Sequence, residues 1–137
     1  MEALEHYYHL IENVIKRLGV EPSLCKGDKP GQYDLKKGSA NIWIDIWKVE
    51  GESYGYIQIM APIYSVPDKD KEALYKELLE INHKLFAAAL TLHNGRVYAK
   101  SIRELDGLNE DEAFAMFNRV GNYADDYDDY LTAKYGK

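Results

Sequence analysis

Residues 40–64 read ANIWIDIWKVEGESYGYIQIMAPIY, and their alternation decides the fold. Ile42, Ile44 and Ile46 alternate with Trp43, Asp45 and Trp47, a period of two that sends successive side chains to opposite faces of a β-strand. Gly51 between two acids marks a turn. Beyond it Ile57, Ile59, Ala61 and Ile63 share one face of a second strand, and Tyr54, Tyr56, Gln58, Met60 and Tyr64 share the other. A shorter strand from Gln32 to Lys36 precedes the pair.

Outward from this centre the period changes. Leu4, Tyr7, Tyr8, Ile11, Val14, Ile15 and Leu18 fall at three-and-four spacing, which predicts an amphipathic helix ended by Gly19. Pro22, Gly27, Pro30 and Gly31 make residues 21–31 a connecting loop. Pro67-Asp68 opens a second helix with Leu74, Leu78, Ile81 and Leu85 on its apolar stripe. Asn94-Gly95 then joins strands over Phe86–His93 and Arg96–Glu104, because a type I′ turn needs positive φ at both central residues. That turn puts His93 opposite Arg96, Leu92 beside Val97, Leu90 beside Ala99 and Ala88 beside Ser101. Asn109 and Glu112 form a capping box before a last helix carrying Ala113, Phe117, Val120, Ala124, Tyr127 and Leu131. The predicted order is αβββαββα, an α+β fold whose five-stranded, mostly antiparallel sheet packs with helices. One domain is expected over 1–137, with 132–137 a frayed tail.

Length and composition agree. The 137 residues are 46% hydrophobic and 29% charged, with 17 aromatics, which suits one folded core and excludes disorder. The formal net charge of −6 disfavours a phosphate backbone as partner, so no nucleic acid is expected. Residues 109–131 hold 7 acids and 1 base and carry the whole imbalance. No apolar run approaches the roughly 18 residues of a membrane span and the N-terminus has no export pattern. A lone Cys25 can form no internal disulfide, and the expected compartment is the cytoplasm.

The element order, with Leu78-Leu79-Glu80-Ile81-Asn82, the hairpin through Asn94-Gly95-Arg96-Val97-Tyr98, and Leu105-Asp106-Gly107-Leu108 before the last helix, resembles the YbjN family of bacterial sensory transduction regulators. That family lies within the type III secretion chaperone-like fold, which includes the Tir chaperones. The motifs cover residues 68 to about 117 and the rest is similar by element order. The resemblance implies a homodimeric, non-catalytic protein-binding module, either a chaperone or a regulatory subunit that binds one folded target.

Chemistry-bearing patterns are few. Serines 23, 39, 53, 65 and 101 lie in no nucleophile elbow, and no glycine-rich segment precedes a helix, so neither hydrolase nor nucleotide chemistry gains support and no cofactor is expected. His6 and His9, with Glu2 or Glu5, could approach one metal ion from adjacent helical turns, but two surface histidines are more often solvated. Asp125, Asp126, Asp128 and Asp129 lack the glycine and alternation of a calcium loop and read as an acidic helix face. Near a helix C-terminus each exposed carboxylate costs about 0.3–1 kcal/mol, which points the acids towards a basic partner surface.

The most informative feature is the second face of the sheet. If the isoleucines meet the helices, Trp43, Trp47, Tyr54, Tyr56, Met60, Tyr98 and Ile102 point the other way. A large aromatic buries about 150–250 Å², so four of them rival the ~300–600 Å² of the largest patch on an ordinary monomer. These residues are the candidate surface for a polypeptide partner or a second copy of the chain, with strand addition at a sheet edge as a companion route. Alternation alone does not say which face the helices take, so a core role for Trp43 and Trp47 stays open here.

Overall fold

The computed structural model describes residues 2–38 and 40–136. Met1, Ser39 and Lys137 lie outside the described residues, as do the side chains of Glu2 and Ala3, so the pairing of Glu2 with His6 and His9 is outside them too. The elements run α1 (Glu2–Arg17), β1 (Gln32–Lys37), β2 (Ala40–Lys48), β3 (Gly55–Ser65), α2 (Lys71–Asn82), β4 (Ala89–His93), β5 (Arg96–Glu104) and α3 (Glu110–Tyr135). The strands form one sheet in the order β1-β2-β3-β5-β4, and every ladder is antiparallel.

Period two in β2 and β3 becomes burial directly. Ile42, Ile44, Ile46, Ile57, Ile59 and Ala61 are buried, while Trp43, Asp45, Trp47, Tyr56, Gln58 and Met60 between them are half-buried. The helices therefore take the isoleucine face. Ile11, Val14 and Ile15 of α1, Leu74 and Leu78 of α2, and Phe117, Val120 and Leu131 of α3 join the same core. Each such side chain contributes about 1.5–3 kcal/mol relative to exposure. Close approach of α3 to β2 depends on Gly121, where an added Cβ would stand 3.1 Å from Ile42 Cδ1 and 2.5 Å from Lys37 Cδ.

Local signals set several boundaries. Asn94 and Gly95 have φ of 50° and 77°, as the turn requires, and His93–Arg96, Leu92–Val97 and Leu90–Ala99 pair as the turn dictates. Asn109 accepts from the Glu112 N–H at 2.8 Å and Glu112 Oε1 accepts from the Asn109 N–H at 3.0 Å, closing the capping box.

Several boundaries and one loop differ from expectation. α2 begins at Lys71 rather than at Pro67-Asp68, because Asp70 before it is left-handed with φ 61°. β4 begins at Ala89 rather than Phe86, so the expected Ala88–Ser101 pair does not form, since Ala87 has φ 53° and its carbonyl accepts from Ser101 Oγ at 2.8 Å. Within 21–31 the chain makes a short helical turn at Pro22–Leu24 and then bridges back to β1 at Lys26–Tyr33. The helix continues to Tyr135 where a frayed end from Thr132 was expected, because Tyr130, Lys134 and Tyr135 all reach Glu77 of α2.

Candidate functional site

The side of the sheet turned away from the helices is the candidate site. Antiparallel register sets its rows: Trp43 lies opposite Met60, Asp45 opposite Gln58 and Trp47 opposite Tyr56. Met60 in turn faces Lys100, and Pro62 faces Tyr98. Trp47 and Tyr56 stack with centroids 5.9 Å apart at 29°, and Tyr54 meets Tyr56 edge-on at 5.9 Å. Trp43 leans on Tyr98 at 6.2 Å, with His93 6.5 Å from Tyr98 on the far side. Trp43, Trp47, Tyr56 and Met60 are half-buried, Tyr54 is 41% exposed and Ile102 48% exposed, whereas Tyr98 is 8% exposed beneath its neighbours. Among the described residues the rings rest on one another rather than under a helix.

One expected member departs. Tyr64 does not join the aromatic face, because the register with β5 shifts between Pro62 and Tyr64 and turns it inwards. It is buried, its hydroxyl donates to the Gly136 carbonyl, and burial pushes its pKa up. Strict alternation carries no signal for such a bulge.

Each edge of the sheet is partly occupied. In β1 the outward N–H of Asp34 donates to the Cys25 carbonyl at 2.7 Å, and the Gln32 carbonyl accepts from the Gly27 N–H at 2.7 Å. In β4 the Asn82 side chain accepts from the Leu90 N–H at 2.7 Å and donates to its carbonyl at 3.0 Å. Sequence reading missed these guards. An asparagine at the end of α2 looks like any helix terminator, and its partner is a strand 8 residues away.

Around the sheet's end a cleft of about 700 Å³ is lined by Leu4, Tyr7, Tyr54 and Leu105 with Lys48 and Glu104. Tyr54 thus connects the outer face to this cleft.

The other candidates lie apart. Asp125, Asp126 and Asp129 are exposed on α3 and Asp128 is half-buried, accepting from Thr132 Oγ1 at 3.4 Å. They sit on a helix that packs against the isoleucine face, so the structure does not bring them together with the aromatic face. His6 and His9 are exposed, and His6 packs edge-on against Tyr7 at 5.0 Å. Among the described residues no three His, Cys, Asp or Glu side chains gather as metal ligands would. No helix is long and apolar enough to cross a membrane among the described residues. Cys25 is buried, and burial with the Asp34 and Glu21 carboxylates raises its thiol pKa, the opposite of an activated nucleophile.

Comparison with known proteins adds to this geometry. The model of the family described as "T3SS (YopN, CesT) and YbjN peptide-binding chaperone 1" matches residues 5–136. No curated protein sequence matches. Among solved structures, the ExsC-ExsE complex has a chain with TM-score 0.69 at 13% identity, covering 93% of this chain and 94% of its own. The HopA1-SchA chaperone-effector complex gives 0.65 at 12% identity over 90% and 93%. The heterodimeric ExoU-SpcU complex from the type III secretion system of Pseudomonas aeruginosa gives 0.59 at 12% identity over 84% and 92%. At such identities these structures share the fold.

Proposed function

The chain belongs to the family of T3SS (YopN, CesT) and YbjN peptide-binding chaperones, and from that premise we propose that it holds a partner polypeptide, without reacting with it, across the aromatic outer face of its sheet. The observation that carries this is the run of Trp43, Trp47, Tyr54, Tyr56 and Met60 on a face that, among the described residues, no helix covers, with Tyr98 packed beneath. Trp, Tyr and Met are the side chains over-represented at interfaces, and Asp45, Gln58 and Lys100 among them suit a specific, partly wet contact. The guards on β1 and β4 favour the face over strand addition, since the outward groups of residues 32, 34 and 90 already have partners.

The client is taken as an extended segment. A folded target would press a rigid convex surface onto half-buried rings, whereas an extended segment can seat alternate side chains along the strands. The working form is a homodimer in the cytoplasm, joined away from the outer face; exposed Leu79 and Phe86 around α2 are the apolar surface for that contact. Light scattering tests the dimer, with a mass near twice 15.8 kDa expected. Affinity capture tests the client: unfolded polypeptides support the chaperone reading, whereas one stoichiometric folded protein supports a regulatory subunit. Truncating both tryptophans tests the face, and loss of client with the fold intact is the expected result.

A further inference from the structure

A hollow of about 310 Å³ opens on the outer face beside Trp43, bordered by Asp28, Gln32, Asp34 and Asp45. Register explains the gathering, since Asp34 stands opposite Trp43 and Gln32 opposite Asp45. The backbone that returns along β1 at Cys25–Gly27 brings Asp28 to the rim. Burial raises the Asp45 carboxyl above its usual range, opposed by a hydrogen bond from Gln32 and the charge of Lys29. Lys36 is the next cation on that side of β1, two residues beyond Asp34. None of the three carboxylates takes part in the ion pairs made by Arg17, Arg103 and Lys134.

Carboxylates around an indole select the charge and the shape of what they meet. The face of a tryptophan ring attracts a cation. A guanidinium is planar, always charged and weakly hydrated, so it can stack on that ring while donating to the carboxylates beside it. An aliphatic guest would bury the carboxylates without hydrogen bonds, and an acidic guest would be repelled. Resting on the reading of the outer face as the client surface, we propose that the hollow beside Trp43 receives an arginine side chain of the bound polypeptide, next to apolar side chains seated on Trp47, Tyr56 and Met60. Along an extended client, residues two apart point to the same side. The segment recognised then has an arginine flanked at that spacing by bulky apolar residues.

The test uses three capped pentapeptides, Leu-Ser-Arg-Ser-Leu, the same peptide with citrulline for arginine, and the same with glutamate, titrated into the full chain while NMR follows the two indole N–H signals. Citrulline keeps the shape and removes the charge. The arginine peptide is expected to shift Trp43 and to bind at least tenfold more tightly than the citrulline peptide, with the gap shrinking at high salt. In Asp34→Asn with Asp45→Asn, checked as folded by its amide spectrum, the gap is expected to close. Equal affinities for the arginine and citrulline peptides, or a gap that survives in the double variant, would overturn the proposal. If all three peptides shift Trp47 alone and equally, the face remains the client surface and the arginine anchor is wrong. If no peptide shifts either indole, the reading of the face falls and the anchor falls with it.

Discussion

Trp43 and Trp47 are half-buried on a sheet whose opposite face supplies the core, so truncating them removes contact surface without opening a cavity under a helix. Trp43→Ala with Trp47→Ala is expected to leave the thermal transition intact and to weaken client binding by about 2 kcal/mol or more, the scale of an interface anchor. Calorimetry and a binding titration on the same sample check it, and a double variant that unfolds would place the rings in the core instead. Phe117 offers the contrast: it is 1% exposed, and Phe117→Ala is expected to cost about 3–5 kcal/mol of stability, read by denaturant unfolding. At this scale the sequence was legible wherever a side chain's place follows from period two. Asp34 was missed although its place follows once Lys37 pairs with Ala40, which sets Asp34 opposite Trp43. Tyr64 was misplaced because a bulge depends on how two strands meet and leaves no local trace.

Two elements owe their position to single polar side chains on α2. Asn82 satisfies both edge groups of Leu90, so Asn82→Ala is expected to cost about 1–3 kcal/mol and to leave β4 open to pairing. Sedimentation should then show concentration-dependent association beyond that of the parent chain, reversed by adding Leu92→Pro. Glu77 accepts from Tyr130 and from Tyr135 at 2.6 Å and pairs with Lys134 at 3.0 Å, which pins the last turns of α3. Burial pushes the Glu77 carboxyl up, but these three donors outweigh it and hold it below its usual range. The Glu77 contribution is therefore present above the ordinary carboxylate pKa and lost as pH falls through the lower folded value. The hydrogen bond to Glu77, aided by burial, raises Tyr135 to about 12, so its contribution is present below the ordinary tyrosine pKa of about 10 and is lost as pH rises from there through the folded value. Thermal melts across pH should show both losses, and Glu77→Gln should flatten them and speed amide exchange at residues 130–135. Elements with their own caps and turns, such as the hairpin and the start of α3, could be read from the chain. The end of α3 could not, because its partner Glu77 lies 53 residues before Tyr130 and 58 before Tyr135.

For the whole molecule, order and class followed from alternating periods, but the choice of face did not. Both faces of β2 and β3 carry large apolar side chains, and the helices settle on the isoleucines because branched aliphatic chains pack densely while the indoles and phenols retain polar atoms. Solution mass and tryptophan emission check that choice. A dimer whose tryptophans stay quencher-accessible is expected, whereas a dimer that shields them would make the outer face the self-association surface. The 26 residues of α3 complete the cover over the isoleucine face and come last in chain order. At about 5–20 residues per second their synthesis takes roughly one to five seconds. A nascent chain that has formed all five strands must therefore wait, with its future core open to solvent, until this helix has emerged, and a member of a peptide-binding chaperone family is itself most in need of shelter in that interval.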